Sequence, residues 1–160
     1  MTKKPIWAPW RIDYILDEKP DGCVFCSMPK ENDDKLHNIL KRGETCYVVL
    51  NLFPYNNGHL MVAPFRHIAE YDDLTPEELE ESARLTSESV VALKKAFKPD
   101  GFNIGVNQGV AGGAGIKEHL HIHIVPRWSG DFNFMPVIGQ TKVIPVHLST
   151  TYDALKDVFE

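Results

Sequence analysis

Apolar and polar positions recur along the chain with two periods, and each period predicts a kind of element. "TCYVVLNLFP" (45–54) is β-branched and aromatic and is stopped by Pro54, which predicts a strand. "NNG" (56–58) carries turn residues and "HLMVAPF" (59–65) reads as a second strand, so the pair predicts a hairpin with a loop longer than the tightest turns. At Thr75 the period changes. "TPEE" combines a hydroxyl at the N-cap, proline at the first helical position and Glu78 three residues on, which is a capping box. Leu79, Ala83, Leu85, Val90, Leu93 and Phe97 follow at roughly helical spacing and predict one long helix ending near "KPDG" (98–101). "GFNIGVNQ" (101–108) and "HLHIHIVP" (119–126) predict two more strands, separated by "GVAGGAG" (109–115) with its four glycines. "TYDALKDVF" (151–159) predicts a short helix.

Strands joined by short links, with one long helix, imply an α+β fold on an antiparallel sheet. Residues 1–22 read as an irregular arm broken by Pro5, Pro9 and Pro20, whose Trp7 and Trp10 would be costly to leave in water and so lie on the domain surface or a partner subunit. "KENDDK" (30–35) is a polar loop, and the acidic run "TPEELEESARLTSES" reads as a solvated helix face. The main domain is expected over 23–128, followed by an apolar tail without clean period over 129–160.

Composition narrows the function classes. A chain of 160 residues, 43% apolar and 24% charged, has the size and balance of one globular domain. Its formal charge of −5 disfavours a duplex nucleic-acid binder, which would carry a basic face. No apolar run approaches the ~18 residues of a membrane span, and the start "MTKKPIWAPWR" is broken by charges and prolines, unlike a signal peptide. Three cysteines, two as Cys23-Val-Phe-Cys26, suit a reducing compartment, so a cytoplasmic protein is expected.

"EHLHIHIVPRW" (118–128) concentrates the chemistry, since it holds three of the seven histidines. Side chains two apart in a strand lie roughly 6.6 Å from each other on one face. His119, His121 and His123 therefore point one way, toward a cleft or solvent, while Leu120, Ile122 and Ile124 point into the core. The neighbouring glycines let backbone amides approach a phosphate closely. Three readings compete: a polar strand face, a three-histidine metal site, and nucleophilic chemistry at phosphorus. A straight strand carries its third histidine too far along to close a tetrahedron on one ion. Neutral imidazole is a good nucleophile, and chemistry at phosphorus is the expectation. The cysteine pair has metal-ligand spacing but is half a site; structural zinc, two reduced buried cysteines and a redox pair are the alternatives. Cys46 reads as core, and His37 and His147 as non-catalytic.

"HLHIHIV" matches the His-φ-His-φ-His-φ-φ signature of the histidine-triad (HIT) family of nucleotide hydrolases and transferases, and the chain resembles that family over most of its length: "CVFC", "LNLFPYNNGHLMVAPFRHI" (50–68) and "VNQG" before the triad. "IWAPWR" and "GDFNFMPVIGQTK" look like the bacterial branch that includes diadenosine tetraphosphate phosphorylases. The resemblance implies a HIT-like antiparallel sheet of about five strands with one long helix and short flanking helices, in a homodimer. It implies an enzyme cleaving at the α-phosphate of adenine nucleotides or dinucleoside polyphosphates through a nucleotidyl-histidine intermediate. Phosphorolysis of diadenosine polyphosphates is the first expectation. Hydrolysis of phosphoramidates or adenylates, or a nucleotide sensor with incidental turnover, are the alternatives.

Carried onto this chain, the resemblance makes His121 the nucleophile and sets His123 beside the phosphate and leaving group, with His119 completing the triad. Asn51 would bind ribose hydroxyls, His59 would line the pocket, and Asn107 would face phosphates or ribose. Cys23, Cys26, His67 and His119 would hold structural zinc; no catalytic metal is required, and Mg2+ can accompany the nucleotide. One departure stands out. Many family members hold phosphate with a glutamine and a hydroxyl residue four and three positions before the first triad histidine, where this chain has Gly115 and Ile116. The grip is then expected more from the backbone amides of 109–115, with Gly113, Gly115 and Ile116 at the nucleotide, or from Gln108, Lys117 or Arg127.

Overall fold

The structure, a computed structural model, describes residues 22–131 and 144–159. The expectations for Trp7, Trp10 and the "FNFMPVIGQTK" stretch (132–142) fall outside those residues. Five antiparallel strands form one sheet in the order β1-β2-β3-β5-β4: β1 Ile39–Arg42, β2 Cys46–Leu50, β3 Leu60–Pro64, β4 Gly101–Val106 and β5 Ile122–Arg127. Among the described residues three α-helices accompany it: α1 Val24–Ser27, continued by a 3-10 turn at Met28–Lys30, the long α2 Pro76–Phe97, and α3 Leu148–Phe159. The α+β class and the five-strand antiparallel sheet agree with the sequence reading.

Alternation along the strands separates two cores. Val48, Leu50, Leu60, Val62 and Ile124 point to one face and pack with Leu85, Ala92 and Leu93 of α2 and with Tyr152 and Leu155 of α3. Tyr47, Val49, Met61 and Ala63 point to the other face, beneath Phe25 and Met28. In the ladder Met61 lies opposite His123 and Leu60 opposite Ile124, so the histidine row shares the face that α1 covers. That register is enforced by burial on both faces, because a one-residue slip would exchange Ile124 for a histidine in the main core.

The capping box predicted at Thr75 is formed. Its hydroxyl accepts from the Glu78 N–H at 3.2 Å, and the Glu78 carboxylate accepts from the Thr75 N–H at 2.9 Å. The predicted apolar stripe is partly displaced. Leu79 and Ala83 face solvent, whereas Glu78, Glu81, Ser82, Leu85, Ser89, Ala92 and Leu93 are buried. The acidic run is therefore not wholly a solvated face. Two of its carboxylates are buried because each meets a set of donors: Glu78 takes Arg66 at 2.9 and 2.7 Å, and Glu81 takes the backbone N–H groups of Glu44 and Cys46 and the Thr45 hydroxyl. Gly43 makes that approach possible, since a Cβ there would lie 2.5 Å from Glu81 Oε1.

Strand β1 is absent from the sequence reading. "ILKR" is short, and its irregular pairing with β2 between Ile39 and Lys41 blurs any alternation. From the C-terminal side, α3 locks it in place: the Tyr152 hydroxyl donates to the Ile39 carbonyl at 3.2 Å and Lys156 to the Leu40 carbonyl at 3.1 Å.

Candidate functional site

Beneath α1, the face of the sheet carries the histidine row and a cleft of about 600 Å3. Phe25, Met28, Leu50, Leu52, Phe53 and Ile116 make it mainly apolar, and Asn51 and Gly115 also border it. Such a slot suits the flat, apolar body of a nucleobase. Asn51 sits where β2 ends; its Oδ1 accepts from the Phe53 N–H at 2.8 Å and its Nδ2 lies 3.3 Å from His59 Nδ1.

All three triad histidines are buried, rather than lining an open surface. The strand proper begins only at Ile122, because the Leu120 N–H turns away from the ladder and donates to the Ile68 carbonyl at 2.7 Å. The alternation still holds. Phe25 stacks on His121 at 4.7 Å, and the His121 ring meets His123 edge-on at 4.7 Å. Leu120 is buried in a small cluster with Ile68 and Leu74, Ile124 lies in the main core, and Ile122 packs against that core half-buried.

Hydrogen bonds assign a tautomer to each ring. His121 Nδ1 lies 2.8 Å from the His119 carbonyl, which only accepts, so Nδ1 carries the proton and Nε2 the lone pair. His59 Nδ1 accepts from the Tyr55 N–H at 3.0 Å, which leaves its proton on Nε2, 2.9 Å from His123 Nδ1. His123 therefore accepts at Nδ1 and carries its own proton on Nε2. Asn107 Nδ2 donates to the Tyr55 hydroxyl at 3.4 Å and lies 3.4 Å from His123 Nε2, which sets two side-chain donors next to each other. One histidine offers a lone pair and its neighbour offers a proton, a pairing suited to attack at an anionic centre. Burial holds both pKa values below the usual imidazole range, that of His123 at about 4, so both rings are neutral at neutral pH.

His119 turns to a different task. Its Nε2 donates to the Pro64 carbonyl at 2.9 Å, so its Nδ1 lone pair faces Cys23 Sγ at 3.3 Å and Cys26 Sγ at 3.4 Å. His67 Nδ1 approaches Cys26 Sγ at 3.3 Å. The four ligand atoms lie within 4.8 Å of one another. Two sulfurs and two imidazole nitrogens at these separations fit a tetrahedral zinc site, and a carbonyl holding the far nitrogen of a ligand histidine is the usual support. The sequence-predicted ligand set is thus brought together by elements up to 96 residues apart.

The other candidate phosphate ligands have protein partners of their own. Gln108 accepts from the Tyr71 N–H at 3.0 Å and donates to Glu70. Arg127 is held by Asp131 at 2.7 and 3.0 Å and by Asn103 at 2.8 Å. Lys117 is exposed and faces Glu118 at 3.9 Å. Gly113 lies in the loop at φ +83°, and its N–H is taken by the Val110 carbonyl. Phe25 was not singled out by the sequence reading; its one signal was an aromatic residue enclosed between two candidate ligands.

Comparison with known proteins agrees with this geometry. Residues 32–130 match the model of the HIT domain. A Mycobacterium tuberculosis protein named AP-4-A phosphorylase is 40% identical over 155 residues, covering 91% of this chain and 79% of its own. A Zn-bound histidine triad family protein from Mycobacterium smegmatis shares the fold with a TM-score of 0.68 at 24% identity, over 86% of this chain and 92% of that one. A Sulfolobus tokodaii protein, described as a hypothetical histidine triad nucleotide-binding protein, gives a TM-score of 0.66 at 27% identity, over 86% and 89%. With its triad row, its apolar cleft and a match over most of its length, this chain belongs to the HIT family.

Proposed function

We propose that this protein is a nucleotidyl transferase that cleaves diadenosine polyphosphates at an α-phosphate, with inorganic phosphate as the acceptor. The observation that carries the proposal is the pair of opposite tautomers. His121 presents a lone pair at Nε2 and His123 presents a proton at Nε2, side by side behind Phe25, a wall of the apolar cleft. The 40% identity to a protein named AP-4-A phosphorylase supports the choice of substrate and acceptor.

In the first step the nucleoside lies in the cleft against Phe25, its ribose near Asn51. His121 Nε2 attacks the α-phosphorus, a P–N bond forms and the P–O bond to the departing nucleotide breaks. With diadenosine tetraphosphate the leaving group is ATP, whose new terminal charge is met by His123 Nε2–H and Asn107 Nδ2. His121 keeps its Nδ1 proton, donated to the His119 carbonyl, so the developing positive charge on the ring is shared with that oxygen. In the second step an oxygen of inorganic phosphate attacks the same phosphorus. The P–N bond breaks, neutral imidazole returns and ADP leaves.

Cys23, Cys26, His67 and His119 would hold zinc, which supplies a structural link from α1 to the sheet. That link keeps Phe25 on His121. Thiolate ligands require reduced cysteines, which supports a cytoplasmic location. Strand β4 ends the sheet with Ile104 half exposed, which supports a homodimer formed along this edge. Among the described residues no helix is long and apolar enough to cross a membrane.

Product analysis with diadenosine tetraphosphate tests the proposal. ADP plus ATP formed only when phosphate is present is the expected outcome. AMP plus ATP regardless of phosphate would replace phosphorolysis by hydrolysis, and an absence of cleavage by protein that binds AMP would sink it. Light scattering should return twice the chain mass; a monomer would remove the dimer.

A further inference from the structure

We propose that Tyr55 is a specificity-determining residue, its hydroxyl donating to an oxygen of the phosphate that leaves with, or attacks, the nucleotidyl group. The assignment rests on the nucleotidyl-transfer reading above. Four rings contact one another in succession: Phe25 to His121 at 4.7 Å, His121 to His123 at 4.7 Å, and His123 to Tyr55 at 5.4 Å. The first ring is a wall of the apolar cleft, and the last is not among its lining residues. A nucleotide whose base lies against Phe25 therefore places its leaving and incoming phosphates at the Tyr55 end.

At that end the polar groups converge. Asn107 Nδ2 lies 3.4 Å from both the Tyr55 hydroxyl and His123 Nε2. The ring is held by the same histidine that sets the His123 tautomer, since the Tyr55 N–H donates to His59 Nδ1 and the two rings lie 4.6 Å apart. A shift of Tyr55 would thus disturb the proton position on His123. The phenol is also reachable: Tyr55 is 49% exposed. In the lining of the cleft, Gly115 and Ile116 bring no side-chain donor; Gln108 and Arg127, which are not part of that lining, bond to Glu70 and Asp131. A phenol hydroxyl is suited to this work because it donates to a phosphate oxygen without adding charge that would hold the product.

The chemistry is that of the second step: an oxygen of HPO4(2−) forms the new P–O bond, the P–N bond to His121 breaks, and neutral imidazole departs. The Tyr55 hydroxyl orients the attacking ion and is unchanged. In the first step the same hydroxyl faces the terminal phosphate of departing ATP.

The experiment compares wild type with Tyr55→Phe, which keeps the ring and its stacking on His59 and His123 and removes the hydroxyl together with the hydrogen bond it accepts from Asn107 Nδ2. Three quantities are read: the KM for inorganic phosphate, the single-turnover rate of ATP release without phosphate, and the affinity for AMP. The expected result is a KM for phosphate raised roughly tenfold, the scale of one lost hydrogen bond to an ion, with AMP affinity unchanged within about twofold. A slower ATP release as well would extend the contact to the leaving group; an unchanged one would restrict it to the attacking phosphate. Unchanged phosphate dependence together with unchanged ATP release overturns the assignment, and so does a parallel loss of AMP affinity, which would move Tyr55 to the nucleoside end. If wild type itself releases no ATP, the transfer reading fails and the subsite with it.

Discussion

His119 and His121 are joined through one carbonyl but serve opposite ends of the site. The His119 carbonyl accepts the Nδ1 proton of His121 at 2.8 Å, while the His119 ring directs its own Nδ1 at Cys23 and Cys26. Whatever holds the His119 ring therefore holds the backbone oxygen that sets the tautomer of the nucleophile.

Removing the nucleophile should separate chemistry from binding. His121→Ala is expected to lower kcat by on the order of a thousandfold or more, because no other ring presents a lone pair at that point. Its affinity for AMP should stay within a few-fold, since the cleft is built from other residues. Steady-state kinetics beside calorimetric titration check this, and a variant that turns over at near wild-type rate would remove His121 from the mechanism.

Metal content is the second test. Protein purified without chelators should carry about one zinc per chain. Cys26→Ser should lose the metal and melt at a lower temperature, as α1 is no longer tied to His67 and His119. Elemental analysis and a melting curve suffice; metal-free wild type that melts where the loaded protein does would overturn the structural role.

Glu81 sets an acid limb of stability. Burial raises its pKa, but the hydrogen bonds from Thr45, Glu44 and Cys46 outweigh burial and hold it at about 2, below the usual carboxylate value. A carboxylate depressed in the folded state contributes stability above its unfolded pKa near 4.5, and that contribution is lost as pH falls toward 2. Glu81→Gln, which leaves buried N–H groups facing an amide, should cost about 2–3 kcal/mol at pH 7. Urea unfolding at pH 7 and at pH 3 should show the variant's deficit shrinking at the lower pH; a constant deficit would contradict the assignment.

His123 works in a different window. Burial lowers its folded pKa to about 4, against about 6.5 in the unfolded chain. Between those values the unfolded chain binds a proton that the folded protein does not. Stability from this residue is thus complete above pH 6.5 and declines as pH falls to 4. Long-range nitrogen–proton spectra of histidine-labelled protein at neutral pH should show the Nδ1–H tautomer at His121 and the Nε2–H tautomer at His123, and the His123 signals should be unchanged from pH 8 to pH 5.5. Titration of His123 near pH 6.5 would contradict its burial.

Some of this molecule is decided by neighbours along the chain. The Thr75 capping box, the turn before His59 and the alternation of His119, His121 and His123 depend on residues a few positions apart. Short-range sterics and hydrogen bonding act on them in any fold that admits the element. The α+β class follows from the same local periods, and the ligand set was legible only because the histidine-triad pattern linked its distant parts.

What the local pattern could not reveal was decided by partners far away in sequence. Strand β1 exists because β2 offers a ladder and α3 anchors its carbonyls 113 and 116 residues away. Glu78 and Glu81 read as solvent-facing because a carboxylate's burial depends on donors, and theirs come from Arg66 and the loop at 44–46. Gln108 and Arg127 read as alternative phosphate ligands, and only the fold sets Glu70 and Asp131 beside them. The tautomers of His121 and His123, on which the chemistry turns, needed a strand register and a hairpin loop brought to the same face. Sequence alone set which groups this protein has for its chemistry; tertiary structure decided which nitrogen of each ring is free to act, because a proton's position depends on what lies within 3 Å of it.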